Sequence, residues 1–208
     1  RSHTCVALLQ RRGTIRVGLG NLRDAIADFE QVVERARQLH DLLSEATALN
    51  ALANPFVSRY LNRPHEEMRR TEHALSVADK VGDSALRAEA MVNLAVRHSV
   101  LGEPARAEAL FTDAVRLARS SDRPAALLRT VTYRGVGHFF QTEFRDAHTM
   151  LAEAVALASR LHDGAMLRTA LFFLGWTLAS LGRISEALAT FDQLREMAAR
   201  NADTASSH

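Results

Sequence analysis

Four apolar positions stand at steps of four, three and four along the chain, and the whole set returns again and again. The first set is Ala25, Phe29, Val32 and Ala36; later ones are Ala107, Phe111, Ala114 and Ala118, then Ala147, Leu151, Ala154 and Ala158, then Ala187, Phe191, Leu194 and Ala198. A degenerate set, Glu67, Thr71, Ala74 and Ala78, fills the gap, so the intervals are 42, 40, 40 and 40 residues. Such steps mark one face of an α-helix. A second column, Gly13, Ala53, Ala95, Gly135 and Gly175, recurs at intervals of 40, 42, 40 and 40 residues and holds only small residues, as a closely paired helix requires.

Each copy therefore predicts a helical hairpin. The expected helices cover 4–19, 22–39, 44–60, 64–81, 84–101, 104–119, 124–141, 144–161, 165–181 and 184–200. Gly20, Asn62, Gly102, Thr142 and Gly182 fall between the two helices of a copy, where a left-handed residue ends the first helix. Asp41, Asp83, Asp122 and Asp163 fall between copies, placed to cap the next helix. The second copy is irregular: Pro55 should kink its first helix, and Tyr60–Pro64 holds two extra residues. The resulting units are 4–41, 42–83, 84–122, 123–163 and 164–200, with a polar tail at 201–208 expected to be disordered.

At these columns the chain resembles the tetratricopeptide-repeat family, whose pattern pairs Leu-Gly in one helix with Ala-x3-Phe in the next. Leu174-Gly175 with Ala187 and Phe191 fits, as do Leu94-Ala95 with Ala107 and Phe111. The period is 40 rather than the family's usual length of about 34, because the second helix runs roughly a turn further. Long repeats of this kind resemble the arrays of bacterial signalling ATPases and transcriptional regulators. The resemblance implies an all-α, right-handed α-solenoid of five helix-turn-helix repeats.

The family's register also implies a concave face lined by the first helices. Mapped onto this sequence, it selects Gln10 and Thr14, then Asn50 and Asn54, then Glu89, Asn93 and Val96. It goes on to Arg129, Thr132, Val136 and Phe139, and ends at Phe172, Phe173 and Trp176. A groove with this lining starts amide-rich and ends aromatic, which suits a peptide: amides hold backbone and aromatics supply buried area. The same aromatics would equally pack on a neighbouring helix, and the asparagines could be solvated. Asn93 matches an asparagine of the family's carboxylate clamp, but the clamp's lysines have no counterpart; Lys80 is the sole lysine.

Other chemistries find little support. Acidic and basic residues balance to a net charge of +2, and arginines are interspersed with carboxylates as on a solvated helix face, so no nucleic-acid partner is expected. Cys5 stands alone, which excludes an intrachain disulfide. Nine histidines form neither His-x3-His nor His-Glu-x-x-His, so no metal is expected, and no cofactor motif is present. His98 and His138 share a packing column. No apolar run reaches the roughly 18 residues of a membrane span, so no membrane partner is expected.

The chain opens on Arg1, not Met, and reads as part of a larger cytoplasmic bacterial regulator. The leading expectation is a non-catalytic scaffold that binds a protein or peptide on the concave face. The alternative is a small-ligand sensor controlling an attached ATPase, cyclase or DNA-binding domain. The last helix carries Leu188, Phe191 and Leu194 with no following copy to cover them, which predicts self-association at that end or a continuation of the array.

Overall fold

The computed structural model describes residues 2–58 and 64–206, and these are helical throughout apart from short connections. The helices are α1 (Ser2–Gly18), α2 (Leu22–Gln38), α3 (Leu42–Ala53), the single-turn α4 (Pro55–Ser58), α5 (Pro64–Val81), α6 (Ser84–Val100), α7 (Pro104–Arg119), α8 (Pro124–Phe140), α9 (Phe144–Arg160), α10 (Gly164–Ser180) and α11 (Ile184–Ser206). Contacts divide the chain into two compact units, Arg1–Asp122 and Arg123–His208. In the first, α1 pairs with α2, α3 with α5 and α6 with α7; in the second, α8 pairs with α9 and α10 with α11.

The column residues form the cores. Phe29, Val32 and Ala36 on α2 are buried, as are Phe111, Ala114 and Ala118 on α7 and Leu151, Ala154 and Ala158 on α9. The small column makes the pairing possible. A Cβ on Gly13 would lie 2.8 Å from Cε1 of Phe29, and one on Gly175 would lie 2.7 Å from Cε1 of Phe191. No carbon pair packs that closely. The glycine of one helix is therefore the floor on which the aromatic ring of the next one rests.

The helix ends follow local chemistry. Gly20, Gly102, Thr142 and Gly182 all have positive φ, so the turn column is left-handed wherever it is described; Asn62 lies outside the described residues. His40 and His162 take the same conformation between hairpins, at φ 55° and 53°. Asp41, Asp83 and Asp163 cap α3, α6 and α10, accepting hydrogen bonds from backbone N–H groups two or three residues on. Asp122 does not cap α8: Pro124 opens that helix, which moves the N-cap to Arg123.

Pro55 does more than kink its helix. Asn54 is forced extended, at φ −54° and ψ 130°, and α3 stops at Ala53 before the chain restarts as α4. The two extra residues expected at Tyr60–Pro64 fall mostly in 59–63, outside the described residues. At the other end α11 stays helical to Ser206, past the expected limit at 200; residues 207 and 208 lie outside the described residues.

Candidate binding surface

In the first unit, the asparagines expected to face a groove are buried between helices. Nδ2 of Asn50 donates to the carbonyl of Leu86 at 2.9 Å, and Nδ2 of Asn93 donates to the carbonyl of Asn50 at 3.1 Å. Both side chains thus tie α3 to α6, and neither is presented as a free amide. Asn54 caps α3 at the Pro55 break. Glu89 and Val96 are half-buried, Gln10 is half-buried, and Thr14 is exposed with its hydroxyl donated to the carbonyl of Gln10.

Charged pairs cross the same unit. Asp28 is buried on α2 and receives Arg12 at 2.6 Å and Arg16 at 2.6 Å from α1. The hydrogen bond from Arg12, with that from Arg16, holds the Asp28 carboxyl below the ordinary aspartate range against the opposing effect of burial. Arg37 on α2 meets Glu45 on α3 at 2.7 Å, Asp79 on α5 meets Arg87 on α6 at 2.7 Å, and Glu67 on α5 meets Arg97 on α6. The Asp28 pairs tie the two helices of one hairpin together, and the others tie successive hairpins.

The second unit gathers the aromatic residues. Phe139 and Phe173 meet edge-on with ring centroids 5.6 Å apart, Phe140 lies 5.8 Å from Phe173, and Phe172 lies 5.2 Å from Phe173. Trp176, one turn along α10, packs on Phe191 of α11 at 5.6 Å. The cluster is not a closed core: Phe140 is 70% exposed, Trp176 49% and Phe172 44%. Val136 is half-buried on the same side of α8, while Thr132 is fully buried and donates its hydroxyl to the carbonyl of Leu128. Arg129 stacks over Tyr133 at 5.5 Å.

Phe140 was not among the residues selected by register. It sits one position past Phe139 at the end of α8, and the pair Phe139-Phe140 before a turn was the available signal.

The histidines of the shared column are each tied to the next helix. Nδ1 of His98 lies 2.6 Å from Glu103, and Nδ1 of His138 lies 2.6 Å from Glu143. Each glutamate occupies the N-cap position of the following helix without bonding its N–H groups, because the carboxylate turns back to the imidazole. The hydrogen bond from His98, with Arg106, lowers the Glu103 carboxyl below the ordinary glutamate value. Among the described residues there is no group of three or more His, Cys, Asp or Glu placed to hold a metal. No described helix is long and apolar enough to cross a membrane.

These features define a class: an all-α helical-repeat fold of solenoid type in which buried polar groups tie helices together and an aromatic cluster is partly exposed. Family comparison agrees. Tetratricopeptide-repeat models match residues 6–39, covering α1 and α2, and residues 87–120, covering α6 and α7. Two hairpins of the chain are thus similar to tetratricopeptide repeats. A model of anaphase-promoting complex subunit 5 matches residues 136–207.

Among solved structures, BtubC from P. vanneervenii is similar at TM-score 0.66 and 22% identity, over 94% of this chain and 82% of that one. A Rap protein complexed with competence and sporulation factor is similar at TM-score 0.79 and 17% identity, over 94% of this chain and 54% of its own length. This chain thus spans about half of that Rap protein. A kinesin light chain of Podosopora anserina with nearly identical TPR-like repeats is similar at TM-score 0.60 and 17% identity, over 95% and 96% of the two chains. No curated protein sequence matches.

Proposed function

We propose that the chain is a non-catalytic scaffold that captures a short peptide segment bearing large apolar side chains, as part of a cytoplasmic regulatory protein. The receiving surface is the aromatic shelf of α8 and α10, with Phe139, Phe140 and Phe173 as its floor and Val136 beside them. One observation carries the reading: Phe140 stands 70% exposed while packed edge-on against both Phe139 and Phe173. Aromatic side chains held in place by their neighbours offer contact area at little entropic cost, which is how anchors at interfaces work. An exposed shelf also disfavours the sensor alternative, because a small-molecule site encloses most of its ligand. The Rap protein complexed with competence and sporulation factor supplies a parallel at the level of fold.

Selection of displayed random peptides on the purified chain tests this. The expected result is enrichment of sequences with Leu, Met, Phe or Trp at two or more positions. Binding of a synthetic representative should fall at least tenfold in Phe140→Ala, whose side chain is mostly solvent-facing and whose loss leaves the fold intact. Enriched peptides that bind Phe140→Ala as well as the parent would refute the site.

A further inference from the structure

The repeat columns allow each exposed residue to be compared with its equivalents in other copies. At the junctions inside the two units, α2 to α3, α5 to α6 and α9 to α10, certain columns are always covered. Val32, Ala74 and Ala154 are fully buried, as are Ala36, Ala78 and Ala158. In α11 the same columns are Leu194, half-buried, and Ala198, exposed. On the receiving side, Ala48 of α3, Ala90 of α6 and Ala170 of α10 are fully buried, whereas their equivalent in α1, Leu8, is 62% exposed. The α10–α11 face is therefore the giving half of a hairpin junction, and the outer face of α1 is the receiving half.

The two halves also match chemically. Asn93 reaches across from α6 to the backbone of Asn50 on α3, and those two columns hold Arg11 and Phe172 at the ends of the chain. A guanidinium would then meet a half-exposed ring, a favourable pairing. Arg37 with Glu45 and Asp79 with Arg87 cross the junctions in a further pair of columns; at the ends that pair is Ala199 and Cys5. The columns of Glu67 and Arg97 hold Ala187 and Ile15. Each ion pair is replaced on both sides at once, so in those columns neither end would meet the other with an unpartnered charge. Leu8 and Leu194 are larger than the alanines and the valine, Val32, of their columns, which would set the helix axes toward the wide end of the usual spacing of about 8–10 Å.

We propose that copies of this chain associate head to tail, the α10–α11 face of one copy receiving α1 of the next as if it were another hairpin. The contact is heterologous, so it leaves one free face of each kind on every assembly and growth does not stop at a dimer. This goes beyond peptide capture on the shelf and uses different residues: Leu8, Arg11 and Ile15 on one side, Phe172, Leu188 and Leu194 on the other.

Sedimentation velocity of the purified chain from micromolar to submillimolar concentration tests the proposal, with two variants at exposed positions, Leu8→Glu and Leu188→Glu. Circular dichroism and thermal unfolding check that both remain folded. The expected weight-average mass of the parent rises past that of a dimer with concentration. Each variant alone should be monomeric, because one of its two faces is blocked. Mixed in equal amounts they should form a one-to-one complex and stop there, joined through the two intact faces. A parent that stays monomeric throughout would overturn the proposal. So would a Leu8→Glu variant that dimerises like the parent, since that result means α11 pairs with α11.

Discussion

Replacing Gly13 by alanine sets two effects of known sign against each other in one helix. Alanine favours the helix over glycine by about 1 kcal/mol in an interior position. Against this, the new Cβ would lie 2.8, 2.9 and 3.1 Å from Cε1, Cζ and Cδ1 of Phe29. Carbon contacts settle near 3.5–4.0 Å, so ring and helix must part by roughly 0.7 Å. Phe29 is buried and cannot swing into solvent. Overpacking of this kind costs about 1–3 kcal/mol, so the net change should be a loss of about 0–2 kcal/mol. Gly18, five residues on in the same helix, has nothing within 4 Å of its Cβ position. Gly18→Ala should therefore stabilise by about 0.5 kcal/mol, less than a full interior gain because it ends the helix. Urea unfolding followed by circular dichroism reads the difference. Adding Phe29→Leu to Gly13→Ala should recover part of the loss as a coupling between the two sites. If Gly13→Ala proved as stabilising as Gly18→Ala, close approach would not be the reason for the small-residue column.

Three further outcomes follow from particular contacts. Thr142 is β-branched, exposed and left-handed at φ 61°, so Thr142→Gly should raise stability by about 0.5–1 kcal/mol in the same assay, and a loss would contradict the strain argument. The Asp28 carboxyl titrates below its unfolded value, so its contribution is present above the unfolded pKa and disappears as pH falls through the folded one. Asp28→Asn should cost about 1–3 kcal/mol at neutral pH and flatten the loss of thermal stability with acid below about pH 4; an unchanged acid limb would remove Asp28 from that account. Asn93→Ala should destabilise by about 1–2 kcal/mol by leaving the buried carbonyl of Asn50 without its donor. Were it instead to weaken peptide binding at unchanged stability, Asn93 would be a groove residue after all.

Helix positions were readable because the chain punctuates them chemically. Gly20, Gly102 and Gly182 take the left-handed turn, Asp41, Asp83 and Asp163 cap, and the helix limits expected from them agree to within a few residues for most elements. The exceptions arise where two local signals compete. At Asp122 the proline two positions later captured the helix start. At Asn54 the proline dictated the conformation of the residue before it and broke the helix. The site was less legible, because a register says which way a side chain points and not what lies opposite. Asn50 points toward the next first helix and Asn93 toward the previous one, and a backbone carbonyl there accepts from each amide N–H. The aromatic set was found because Phe139, Phe172, Phe173 and Trp176 stand in lining columns, while Phe140 escaped by standing one position outside them.

The ion pairs between hairpins have a consequence for how such an array can change. Copies this alike could be lost or duplicated in one genetic step, and the apolar columns would accept almost any neighbour. The charges would not. Arg37 faces Glu45 across one junction and Asp79 faces Arg87 across another, with the signs reversed. Removing residues 42–83 would bring Arg37 against Arg87, two like charges where an attraction stood before. The pairs thus act as addresses for the first three hairpins: they fix the order of those copies, and they penalise a shortened array that its hydrophobic core alone would tolerate.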